Sequence, residues 1–430
     1  MKSEFKRLGV IAIAVCALSG AALAVGMASA SNSLGQVVSA DATATPVAVA
    51  AAPPASVPAS IPASPAKPVL PSSHPSIPAS PQGSAPLGEP RFAHFRVGNK
   101  NVKAMLADGD IVWVGTSGGV IRYDTKSDDY KLFDVGSGSL LSNGVFHLSK
   151  LDNKIVAGTY GGGMSVFDPA TEKWRNYNIP DGLADQFVYD VQKVANGDVW
   201  IATWSGANRI KGGKLDDPTQ WETFNPKNTH GGLPNEWVYG LEEGKNGDMW
   251  FATENGLARY KDGKWQNWQH DAGLGAPYEL VKDDSKFTTD PGGASRHHAQ
   301  QKAEQGLQNV NIAYNPNYVV SLKVDRDGIV WAGTWGAGLA RFDGQKWRNF
   351  TVKDGLPSNH IFMLSMDPQG RIWAGTSHGL VRVDNGGEHF VVLTRNEGLY
   401  SDNVFSMATA SDGSSWIGSF GGVARLFGKL

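Results

Sequence analysis

From Arg91 onward the apolar residues fall in short runs of up to four, separated by turn residues such as glycine, aspartate and asparagine. Such short runs between turn residues read as strands, since helices need longer periodic segments. One unit is legible between Trp331 and Trp373. WAGT forms one strand, GAGLARFD the next and KWRNFTV a third; DGL opens a loop, and HIFMLSMD runs through a PQG turn to the next Trp. Strict polar/apolar alternation is weak, which suits sheets packed through both faces.

The unit repeats. The core W-x-(G/A)-(T/S) occurs at Trp113, Val156 (as VAGT), Trp200, Trp250, Trp331, Trp373 and Trp416, with spacings of 43, 44, 50, 81, 42 and 43 residues. A period in the low forties is that of a propeller blade of four short strands. Turns just before the Trp strand carry Asn196-Gly197, Asn246-Gly247, Asp327-Gly328 and Asp412-Gly413, pairs that accept positive φ and close hairpins. The last unit supplies three strands, and RFAHFRV at 91–97 resembles an outer strand with no unit of its own. The expectation is an all-β, seven-bladed β-propeller, closed by the N-terminal strand joining the last blade so that no sheet edge stays open.

The 81-residue spacing marks an insertion at about 275–314. Its segment ASRHHAQQKAEQGLQN has helix-forming composition and is expected as a short surface helix. His297 and His298 are adjacent there and are expected as a solvated pair.

Composition changes the picture mainly at the amino terminus. Residues 1–30 carry a basic start, an apolar run and Ala28-Ser29-Ala30, the pattern of a signal peptide cleaved after Ala30, or of an uncleaved membrane anchor. Cys16, the sole cysteine, lies in that run, so the exported part forms no disulfide. Residues 31–90 are Pro, Ala, Ser and Val with almost no charge, and read as a disordered linker. The formal net charge is −2, and −4 once residues 1–30, carrying Lys2, Lys6 and Arg7 against Glu4, are removed. No basic field for nucleic acid remains.

With the units written out, W-x-G-T-x-x-G-(L/V)-x-R-(F/Y)-D…K-W-x-x-(F/Y)…D-G-L-x-x-(N/D)-x-V resembles the two-component regulator propeller repeats, over roughly residues 91–430. The resemblance implies the exported sensor part of hybrid histidine kinases, where two propellers often precede a further β-domain, a membrane span and the kinase. This sequence shows one propeller and stops at Leu430, so the expectation is a sensor-like or interaction module rather than an autonomous signalling protein.

In an up-and-down blade the GT-x-x-G loops and the DGL loops share one face. Eight positions on that face are aromatic or His and form the candidate ligand-binding set: Tyr160, Phe187, Trp204, Trp237, Tyr318, Trp335, His360 and Phe420. Core positions repeat from unit to unit, whereas these change identity, which is what a tuned site would show. The ligand expected is an oligosaccharide or an envelope protein, bound by a periplasmic or secreted monomer, tethered to the inner membrane if the anchor is kept. The competing expectation is a lyase or hydrolase with an acid/base site at the channel mouth, drawn from His147, Asp190, His230, His360 and His378. These lie in different units without metal-like spacing, so neither cofactor nor metal is expected. Asp325-Arg326-Asp327-Gly328 lacks the remaining ligands of a calcium loop and reads as a hairpin turn.

Overall fold

The computed structural model of the protein describes residues 91–284, 296–310 and 312–428, and the expected signal and linker fall outside the described residues. Among the described residues no helix is long and apolar enough to cross a membrane. The architecture is an all-β propeller. A typical sheet is antiparallel in simple order, as in Val145–Leu151, Lys154–Thr159, Met164–Asp168 and Lys173–Tyr177.

The motif residues explain the hairpin that makes each blade. The recurring Thr hydroxyl donates to the glycine carbonyl across the turn: Thr203 to Gly206 at 2.8 Å, Thr334 to Gly338 at 2.7 Å, Thr376 to Gly379 at 2.9 Å. The glycine is required because φ is +103° at Gly206 and +80° at Gly338, and a Cβ on either would lie 2.0 Å from the carbonyl oxygen of Phe224 or Phe350. The repeated Trp is buried between sheets, at 2% exposure for Trp331 and 1% for Trp416. An arginine lies over it, Arg341 of the next strand over Trp331 and Arg425 of the same long strand over Trp416. Asp325 closes its turn by accepting from the amides of Asp327 and Ile329 at 3.0 Å, and from Trp331 Nε1 at 2.9 Å. Its carboxylate is thus spent on the hairpin, as a turn reading requires.

Hydrogen bonding joins the strands into six sheets, which corrects the seven-bladed expectation. Five sheets have four strands. The sixth has six, ordered Val404–Thr409, Ser415–Phe427, Arg91–Asp108, Ile111–Thr116, Gly119–Asp124 and Tyr130–Phe133. The cause is the seam of the ring. Arg91–Asp108 is one continuous strand: Arg91 to Arg96 and Asn101 pair with Ser415–Phe427, while Val102 to Asp108 pair with Ile111–Thr116. The first and last repeat units therefore share a single sheet through this strand instead of standing as separate blades.

Neighbouring sheets meet through the first strands of their units, which line an axial channel. Each contributes one residue to a cavity of about 110 Å³: Lys103, Phe146, Tyr189, Tyr239, Val320, Phe362 and Phe405. The ring is apolar except for Lys103, whose Nζ sits 4.5 Å over the centre of the Phe146 ring.

Candidate functional site

Backbone pairing within each unit gathers the loop-face positions. The residue after the Thr donates its N–H to the carbonyl of the residue before the first strand: Ser117 to Asn101 at 3.1 Å, Tyr160 to Gly144 at 2.7 Å, Glu254 to Trp237 at 3.2 Å and Ser377 to His360 at 3.2 Å. Isolated bridges between Tyr160 and Phe187, and between Trp335 and His360, then link consecutive units.

Seven of the eight candidate residues meet in one aromatic layer over the channel. Phe187 stacks on Trp204 with ring centres 4.2 Å apart, and Trp204 on Trp237 at 4.5 Å and 4°. Tyr160 meets Phe187 and Trp204 edge-on, Tyr318 stacks on Trp335 at 5.6 Å, and His360 meets Trp335 edge-on at 5.4 Å. Phe420 stays apart, pairing through its backbone with Asn101 at the seam and making no ring contact among the described residues. The layer is closed rather than open. Trp204 is 3% exposed, and Trp335 and Tyr318 are 1% exposed each.

The insertion covers part of this layer. A helix over Arg296–Glu304 sets His297 parallel to Trp237, with centres 3.7 Å apart at 14°. His297 Nε2 lies 2.9 Å from one carboxylate oxygen of Glu254, and His298 Nε2 3.4 Å from the other. The pair expected to be solvated is thus docked, with His298 6% exposed and Glu254 0%. Adjacent helical residues point about 100° apart, and a carboxylate with two oxygens can meet both. Glu254 had a signal in the sequence: it is the one acid among the residues that follow the Thr.

A second titratable group lies on the first strands of the second and third units, next to the channel-lining Phe146 and Tyr189. His147 Nδ1 is 3.2 Å from Asp190 Oδ1, and Asp190 Oδ2 accepts from the Leu241 amide at 2.8 Å. This is a contact between two titratable groups of the kind an acid/base site would need. Yet His147 Nε2 faces the Val191 carbonyl at 3.1 Å, so both ring nitrogens meet oxygens and neither is turned to a substrate. Next to it, Glu242 Oε1 is 2.6 Å from Lys323 Nζ. Burial pushes the Glu242 carboxyl up to about 7, against the opposing pull of Lys323 and with help from Asp190.

A raised folded-state value means that folding retains a proton here that the unfolded chain has lost. The contribution is full below the ordinary value of 4.5 and is lost as pH rises through about 7. Glu242→Gln should therefore flatten the pH dependence of stability across that window, by about 3 kcal/mol at most. Denaturant unfolding at pH 4.5, 6 and 8 checks this, and parallel curves for both proteins would refute it.

Beside the insertion, a cleft of about 440 Å³ opens on the loop face. Asn255, Gln269, Gln301, Gln305 and Asn317 line it with amides, Tyr278 and Tyr314 with rings, and Asp271 and Glu304 with acids. Several groups are fixed: Asn317 Oδ1 accepts from the His270 amide at 2.6 Å, and Tyr314 OH donates to the Ala276 carbonyl at 3.0 Å. Both amide atoms of Gln305 are buried without a hydrogen-bond partner among the described residues. Sequence reading missed this cleft, because it forms only where the insertion folds back on the fourth unit.

A family model described as two component regulator propeller matches residues 232–255, 313–336 and 355–378. The chain carries two component regulator propeller repeats. Each matched segment holds a first strand and the Trp strand as far as the loop position, so Trp237 with Glu254, Tyr318 with Trp335, and His360 fall inside them. No curated protein matches the chain in sequence.

Solved structures share the fold. The extracellular domain assigned to a hybrid two component system of B. thetaiotaomicron is 17% identical with a TM-score of 0.58, over 78% of this chain and 42% of that one. One assigned to a one component system of the same organism is 19% identical with a TM-score of 0.55, over 78% and 39%. Streptogramin B lyase is 14% identical with a TM-score of 0.54, over 79% and 97%. The chain spans about two fifths of the two extracellular domains. At such identities the likeness is one of fold.

Proposed function

We propose that this regulator propeller is an exported, non-catalytic sensor-like or scaffold module that takes an oligosaccharide on its loop face, in the cleft beside the insertion. The observation that carries this is the cleft's lining, amides and tyrosines with a buried amide at Gln305 that has no hydrogen-bond partner among the described residues. Sugar hydroxyls donate and accept at once, and amides answer both roles, while tyrosine rings cover the C–H faces. None of the aromatic-layer residues lines this cleft. The acid/base alternative is weakened by His147, whose two nitrogens are spent on Asp190 and Val191.

A glycan array probed with the full chain tests the reading. Gln305→Ala and Tyr278→Ala, both at partly exposed positions, should weaken the captured glycan about tenfold or more at an unchanged thermal midpoint. An array without hits, alongside retention of a protein from envelope extract, would replace the sugar by a protein partner.

A further inference from the structure

Glu254 poses a separate problem. A carboxylate with no exposed surface is costly to bury unless a donor or a positive charge meets it. Among the described residues the ion-pair contacts to this carboxylate come from His297 and His298, and of the two only His297 is hydrogen-bonded to it. Around it stand the faces and edges of Trp237, Tyr239 and Tyr318, and Trp237 is backed by Trp204 on its far side. His297 lies flat on the free face of Trp237, and His298 meets Tyr318 at 5.7 Å.

We propose that Glu254, Trp237 and Tyr318 form a binding site for a planar organic cation, occupied in this structure by the chain's own His297 and His298. The chemistry follows from the parts. A ring face attracts a flat cation stacked at van der Waals distance, and the carboxylate accepts from its edge N–H groups. Guanidinium and imidazolium offer both a flat face and edge donors; an ammonium offers no face. The resident imidazole shows the pose, stacked on Trp237 and donating to Glu254. The occupant comes from an inserted segment, whereas the site is built by the repeat itself, so emptying the site leaves the propeller's blades intact. The site shares no residue with the cleft and so goes beyond the sugar-binding reading.

An internal occupant lowers the apparent affinity for any external one, because the two compete. Calorimetric titration of the full chain with methylguanidinium chloride, at ionic strength balanced by NaCl, should thus show binding at least tenfold tighter in His297→Ala/His298→Ala than in wild type. Adding Glu254→Gln to the double variant should remove that gain, and neutral N-methylacetamide should bind none of the three. An acetylated Gly-Arg-Gly amide forms the second arm. Binding of methylguanidinium alone assigns a free small cation, binding confined to the peptide assigns an arginine of a protein partner, and either supports the site.

The proposal fails if the double variant binds neither probe better than wild type, or if Glu254→Gln leaves the gain in place. Should the double variant not fold, hydrogen exchange in wild type decides. Saturating methylguanidinium should speed exchange across residues 297–304, and unchanged exchange would overturn the site. A glycan array without hits beside a positive cation titration would remove the oligosaccharide reading and leave this one standing.

Discussion

Trp335→Ala should destabilise the propeller by about 3–5 kcal/mol, as much as Trp331→Ala. The two tryptophans stand on different structural positions, and the sequence separates them: Trp331 repeats from unit to unit, while Trp335 varies. The structure gives them the same physical standing. Trp335 is 1% exposed, stacked on Tyr318, edge-on to His360 and packed against Phe362 at 5.9 Å. Trp331 is 2% exposed, stacked on Phe350 and fixed through Nε1 to Asp325. Truncating either leaves a large cavity walled by rings already held from behind, so little collapse can offset it. Urea unfolding of both variants measures the effect. A Trp335→Ala protein as stable as wild type would return Trp335 to the contact role its variability suggests.

The variability at Trp335 has a packing reason that the sequence does not show. The hairpin chemistry was legible because six of the seven units solve the same problem: Thr203 and Thr334, for example, make the same bond to a glycine carbonyl. The loop layer solves a different problem at each unit. Trp204 fills the space between Phe187 and Trp237, and Trp335 that between Tyr318 and His360, so packing by itself gives these positions a reason to differ. The insertion was placed by spacing alone, yet its docking on Glu254 depends on a fold-back that no periodicity encodes. The sheet count escaped for a similar reason. Gly98 has φ +73°, yet the strand continues through it. Continuity there, not the repeat, makes the first and last units one sheet.

That seam carries the other large effect. A chain beginning at Gly98 should unfold well below one beginning at Pro90, and should aggregate. Residues 91–96 form the ladder to Phe427 through Gly422, and His94 Nε2 reaches the Gly398 carbonyl at 2.8 Å. Phe92 packs on the cluster of Met363, Leu393 and Leu426, and Gly398 has no side chain because a Cβ there would lie 2.2 Å from the Phe92 ring. Phe95 stacks on Trp416 at 5.1 Å and meets Tyr123 at 5.4 Å. Losing two such rings costs about 3–6 kcal/mol at roughly 1.5–3 kcal/mol each. It also strips one face of Trp416, the Trp of the last unit. The larger consequence is the edge: Gly422 to Phe427 would become an unpaired strand beside apolar surface, the arrangement that recruits other chains. Thermal unfolding with light scattering separates the two contributions, because the lost packing lowers the midpoint at any concentration while edge pairing grows with concentration. Equal midpoints for the two chains would mean that the ring closes without its first strand residues, and that Trp416 finds cover elsewhere.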